Sequence, residues 1–228
     1  MWNTFASGKN KKMEAKNIYN LIILDESGSM SAIERQAVTA MNETIQGIRK
    51  AWKQNPEQNF FVSLVVFEGN GTQGVRTVRD RVPIENIEDL RPEEYHPGSL
   101  TPLYDAMGVG INTFGKVTKE EDSVLVTIIT DGMENSSTEF SGKAIKTLVS
   151  EKREDGWTFA YIGANQDAVE VAQELQIHNA LNFEATAVGA KEMGAILADS
   201  TMEFCRKAHF LRQNDEKGFF KSSHKGKR

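Results

Sequence analysis

Four short runs of the chain are almost unbroken in apolar residues: Ile18 to Leu24, Phe60 to Phe67, Val124 to Thr130 and Trp157 to Ile162. They are rich in β-branched side chains and too short for helices, so they predict strands. Their lack of alternation predicts strands covered on both faces, as in a mainly parallel sheet. Arg76 to Ile84 differs, because polar and apolar residues alternate there behind the turn residues Gly69-Asn70-Gly71. That pattern predicts an antiparallel edge strand joined by a hairpin to the run ending at Phe67.

Between these runs the apolar residues recur every three or four positions, the spacing of one helix face. Ile33, Ala37, Val38, Met41, Ile45, Ile48 and Trp52 predict a helix from about Ala32 to Trp52, with Ser31 and Glu34 as a capping box. Leu103, Met107, Ile111 and Phe114 predict a second from Pro102 to about Phe114. Three more are expected near 141–154, 166–175 and 185–208, with a weak sixth strand around 180–183. Strands alternating with helices predict a three-layer α/β domain over residues 17–210, preceded by a flexible leader (1–16) and followed by a basic tail (211–228). In that tail Lys217, Lys221, Lys225, Lys227 and Arg228 surround Phe219 and Phe220, and a solvated segment is the expectation.

Composition narrows the function classes. Of 228 residues 39% are hydrophobic and 26% charged, with a net charge of −5, which argues against a global nucleic-acid footprint. Cys205 is the only cysteine, so neither an intrachain disulfide nor a thiolate metal cluster is available. The residues from Met1 to Lys16 lack the apolar run of a secretory signal, and no apolar stretch approaches the ~20 residues of a membrane span. A cytoplasmic location is therefore expected. His96, His178, His209 and His224 are dispersed and form no recognisable catalytic pairing.

In an open parallel sheet, ligands bind beyond the carboxyl ends of the strands. Three polar segments fall there: Asp25-Glu26-Ser27-Gly28-Ser29, Gly98 to Leu103, and Thr130-Asp131-Gly132. Asp25, Ser27 and Ser29 have the alternate spacing that aims three side-chain oxygens at one point. Thr101 adds a hydroxyl and Asp131 a second carboxylate. An all-oxygen set suits a hard divalent cation and disfavours zinc and copper. Each piece also has an ordinary reading: Asp25 and Ser27 as a turn, Thr101 as a helix cap before Pro102, and Asp131-Gly132 as a turn dipeptide. Glu26, between the ligand positions, is expected to be a solvated carboxylate pointing away from the ion.

Taken together, the three segments resemble the von Willebrand factor type A domain family. DESGSM at Asp25–Met30 matches its Asp-x-Ser-x-Ser, SLTPLYDA at Ser99–Ala106 its threonine loop, and ITDGMEN at Ile129–Asn135 its later Asp-Gly. The resemblance runs from about Ile18 to Ala208. It implies a Rossmann-like sheet of order 3-2-1-4-5-6 with strand 3 antiparallel, and a metal-ion-dependent adhesion site of Asp25, Ser27, Ser29, Thr101 and Asp131. It further implies direct contact of Ser27, Ser29 and Thr101 with Mg²⁺ (or Mn²⁺ or Ca²⁺), with Asp25 and Asp131 often acting through water. By the same resemblance, a partner protein's Asp or Glu would complete the coordination. The stand-alone intracellular members look like adaptors or assembly factors, some beside ATPases or in stress-response assemblies. That role, without enzyme activity, is the expectation.

The alternatives are a phosphotransfer enzyme or phosphatase with Asp25 as nucleophile, and a scaffold whose site stays empty. The first would need a second carboxylate where Ser27 stands, or an acidic pair beside the nucleophile, which Asp25-Glu26 supplies, and a lysine near a later strand end. Lys143 and Lys146 are the available cations, and both fall on a predicted helix.

Overall fold

The computed structural model describes residues 16–164, 168–184, 186–208 and 219–220. A six-stranded sheet runs through the centre: β1 (Asn17–Asp25), β2 (Asn59–Phe67), β3 (Val75–Pro83), β4 (Ser123–Thr130), β5 (Thr158–Ala164) and β6 (Asn179–Phe183). Its order is β3-β2-β1-β4-β5-β6. Only the β2–β3 pair is antiparallel, so the sheet is the mixed one anticipated above.

The unbroken apolar strands bury both faces. Ile22 and Leu24 of β1 enter one core cluster, while Leu21 and Ile23 enter the other, because successive side chains leave a strand on opposite sides. The first core lies under α1 (Glu34–Gln54) and α5 (Ala187–Ala208). The second lies under α2 (Leu103–Gly115), α3 (Gly142–Glu154) and α4 (Ala168–Glu174). The helices of the first layer approach to backbone contact, since a methyl group added at Gly47 of α1 would lie 2.9 Å from the Ala198 Cα atom of α5.

The structure revises several local expectations. A 3-10 turn, Gly28–Ile33, takes the place of the first helical turn, and α1 begins at Glu34 without any side-chain cap. Ser31 and Glu34 therefore do not form a capping box. Edge strand β3 is irregular: its pairing with β2 shifts around Leu64, and Arg81 has a φ of +48°. The start expected for the fourth helix, at 166, lies outside the described residues, as do His209, His224 and most of the basic tail. Phe219 is described, and the expectation of a solvated tail fails there. Its ring is buried in the α1–α5 core, its N–H donates to Asn179 Oδ1 over 3.0 Å, and Phe220 packs edge-on at 4.9 Å between ring centroids. None of the described helices is long and apolar enough to cross a membrane.

Candidate metal centre

Parallel strands β1 and β4 lie side by side, with Leu24 opposite Ile129, so they deliver Asp25 and Thr130 to one edge. Asp25 is fully buried. Its Oδ1 accepts the Ser27 N–H at 2.6 Å and its Oδ2 accepts the Thr130 hydroxyl at 2.5 Å. The Asp25 carbonyl accepts the Tyr95 hydroxyl at 2.6 Å. The carboxylate is thus locked in place before any ligand arrives.

The alternate spacing brings Ser27 and Ser29 to the same side, with 3.2 Å between their Oγ atoms. Ser29 donates to Asp131 Oδ1 at 2.5 Å, closing the gap between the first loop and the third. Thr101 reaches the same place from the second loop. A methyl group built on Gly132 would lie 2.9 Å from Thr101 Oγ1 and 3.4 Å from Ser27 Oγ. Gly132 therefore leaves open a cradle that any side chain would fill. Thr101 does not cap α2: Pro102 holds the cap position and no side-chain cap bond is present. Its backbone is instead held on both sides by Asn135, whose Oδ1 accepts the Thr101 N–H (2.8 Å) and whose N–H donates to the Thr101 carbonyl (3.1 Å).

The loops interlock through main-chain atoms. Gly28 N–H donates to Ser99 O at 3.0 Å, and Gly98 N–H to Glu26 O at 2.7 Å. Gly28 is needed for this approach, because a Cβ there would meet the Gly98 carbonyl oxygen at 2.5 Å. All five residues singled out in the sequence, Asp25, Ser27, Ser29, Thr101 and Asp131, are gathered at this one point.

Glu26 does not behave as expected. It is buried, pairs with Arg76 of β3 at 2.8 Å and accepts the His96 N–H at 2.9 Å. The residue points away from the cradle but into the protein, because the long β2–β3 hairpin supplies a guanidinium there.

Four supporting residues escaped the sequence reading. Thr130 and Tyr95 fix Asp25 as described, and Asn135 fixes Thr101. Asp105, fully buried on α2, accepts the N–H groups of Thr138, Glu139 and Phe140 at 2.8 to 3.0 Å and so shapes the loop after β4. A carboxylate among Leu103, Ala106 and Met107 was the available signal for Asp105, since an acid on a buried helix face needs donors.

Burial raises the Asp25 carboxyl to about 6, against the lowering effect of the Thr130 and Ser27 hydrogen bonds, and the nearby charge of Asp131 adds to the rise. Burial also raises Asp131, against the Ser29 bond. Two carboxylates held above their ordinary range, three converging hydroxyls and an open cradle fit a hard divalent cation. Nowhere among the described residues do three or more His, Cys, Asp or Glu side chains gather as a metal cluster. The fit here depends on the hydroxyl groups.

No protein-family profile matches the chain, and no curated protein matches it in sequence. Solved structures do resemble it. The pilus adhesin SpaC from Lactobacillus rhamnosus GG superposes with a TM-score of 0.65 at 13% identity, covering 87% of this chain and 32% of the adhesin. A von Willebrand factor type A protein from Catenulispora acidiphila gives 0.53 at 17% identity, covering 85% of this chain and 43% of that one. The vWF domain of the type V pili tip protein Mfa5 from Porphyromonas gingivalis gives 0.55 at 9% identity, over 79% and 95% of the two chains. The chain thus spans less than half the length of the first two proteins. At these identities the likeness concerns the fold, and together with the strand order it makes this chain a von Willebrand factor type A-like α/β domain.

Proposed function

We propose that the domain is a metal-dependent protein-binding module. In this reading Asp25, Ser27, Ser29, Thr101 and Asp131 hold a divalent cation, Mg²⁺ first, with Mn²⁺ or Ca²⁺ accepted by the same oxygens. The observation that carries it is the convergence of the Ser27 and Thr101 hydroxyls beside Gly132, with Ser29 bonded to Asp131. The cation would supply a positive centre for an Asp or Glu side chain of a partner protein. The chain's own residues do the rest. Thr130 and the Ser27 N–H fix Asp25, Asn135 fixes Thr101, and Asp131 orients the Ser29 hydroxyl.

A phosphotransfer role is not proposed. Glu26, the acid beside Asp25 that such chemistry would draw on, is buried against Arg76. Lys143 and Lys146 sit on exposed positions of α3. A cytoplasmic adaptor or assembly factor, beside an ATPase-containing or stress-response assembly, is the setting we propose. The location rests on the lone, buried cysteine, and the adaptor role on the family resemblance. Fractionation of the tagged chain with the cytoplasm is the expected result, and recovery at the cell surface would refute that setting.

Titration calorimetry tests the centre. Mg²⁺ or Mn²⁺ should bind the wild type with measurable heat and raise its melting temperature, and Asp25→Ala should remove both effects. Partner capture should fail in chelator and with Thr101→Ala. Full retention of binding by both Thr101→Ala and Asp131→Ala would sink the site.

A further inference from the structure

The surface around the cradle has a composition of its own. The loops of the candidate centre are 25–33, 68–74, 98–102 and 131–141. They contain Asp25, Glu26, Glu68, Asp131, Glu134 and Glu139, and no lysine or arginine. Among the described residues only Glu26 of these six has an ion-pair partner, Arg76. Asp25 is buried and Glu134 is bonded into its own loop, so the uncompensated negative charge of the rim is that of Glu68, Asp131 and Glu139.

Apolar side chains stand in the same rim. Five large apolar residues are exposed among the described ones: Leu100, Val117, Met133, Val169 and Val188. Single exposed apolar residues are ordinary, so their placement decides their meaning. Val117 follows α2 at the far end of the sheet. The other four lie at the carboxyl edge, on the loops of the candidate centre or in the first turns of α4 and α5. Leu100 (46% exposed) precedes Thr101 and Met133 (72% exposed) follows Gly132, the two residues that approach each other at the cradle. Met133 is unbranched and adapts its shape to a partner.

We infer that Leu100 and Met133 flank the cation as a specificity rim, selecting a partner segment with one carboxylate set between apolar side chains and no second acid beside it. The inference rests on the proposed metal site. On these loops the cation would be the only positive charge, and it accommodates one carboxylate. A second acid would face Glu68 or Glu139 without compensation, and like charges in a recognition surface act against the wrong partner. Apolar neighbours of the bound acid would instead cover Leu100 and Met133.

The test is selection of random peptides displayed on phage by the full chain in Mg²⁺, with elution by chelator. The expected peptides carry one Asp or Glu with an apolar residue within two positions on either side. The best of them, made synthetically, should bind a Leu100→Ser, Met133→Ser double variant roughly tenfold more weakly, the loss expected for uncovering about one large apolar side chain. Calorimetric Mg²⁺ affinity should stay unchanged in that variant, whose substitutions lie on the surface. Acid-rich peptides, or equal binding by the double variant, would overturn the rim while leaving the metal site standing. Failure to elute any peptide with chelator would overturn the rim together with the partner-carboxylate function, and absence of Mg²⁺ heat in the free protein would remove the metal site itself.

Discussion

The two flanks of the loop at Asp25–Ser29 treat their carboxylates in opposite ways. Toward β3, Glu26 meets Arg76, and Glu94 meets both Arg79 at 2.8 Å and Arg91 at 3.1 Å. Burial alone would raise Glu94, but the Arg91 N–H and the Arg79 and Arg91 guanidinium groups outweigh it and bring it down to about 2. Toward β4, Asp25 and Asp131 meet only hydroxyl and amide donors, and both are raised. One flank is a finished ion-pair network. The other, where we propose the cation, sets two carboxylates among neutral donors, which is the condition in which an incoming cation gains most.

The largest consequence of this contrast lies in pH. The folded state holds the Asp25 proton up to about 6, whereas the unfolded chain releases it near the ordinary 3.8. Folding therefore binds a proton between those values. In chelator, Asp25 lowers stability progressively as pH rises from 4 to 6, by on the order of 2–3 kcal/mol in total, and adds no slope above. Urea unfolding of wild type and Asp25→Asn across this range should show the difference, and saturating Mg²⁺ should abolish it. Metal affinity should weaken as pH falls below 6, because cation and proton compete. The Glu94 flank has the reverse sign: its contribution is complete above about pH 4.5 and is lost only as pH falls toward 2.

Arg76→Ala would break the finished flank. It leaves the buried Glu26 carboxylate with only the His96 N–H and should cost about 2 kcal/mol, at the low end for such pairs because Arg76 is half exposed. Mg²⁺ should not restore that loss, and rescue by Mg²⁺ would mean that the two flanks are not independent. Gly132→Ala sharpens the contrast with a smaller change. The added methyl would crowd Thr101 Oγ1 and Ser27 Oγ, so Mg²⁺ affinity measured by calorimetry should fall about tenfold, or ~1.4 kcal/mol. Stability in chelator should move less than that.

What the sequence disclosed and what it withheld follow the same divide between local and distant causes. β1 was legible because Ile18 to Leu24 must be covered on both faces. The gathering of the cradle residues was legible because Asp25, Ser27 and Ser29 alternate within five residues, Thr101 sits just before a predicted helix and Asp131 just past a predicted strand. Glu26 was misread as solvated because its partner stands fifty residues away on an irregular edge strand. Asp105 was missed because its donors lie 33 to 35 residues ahead. The capping box at Ser31 and Glu34 failed because the chain leaves the cradle through a 3-10 turn, which periodicity alone does not distinguish from the start of a helix.

Phe219 bears on how the domain is handled. Helical periodicity suggests trimming the chain just after α5, yet that cut removes a ring from the interior and leaves Asn179 without the N–H that reaches it. A version shortened at 208 would present an unfilled apolar recess beside β6, an edge strand of the sheet among the described residues, and so a foothold for self-association.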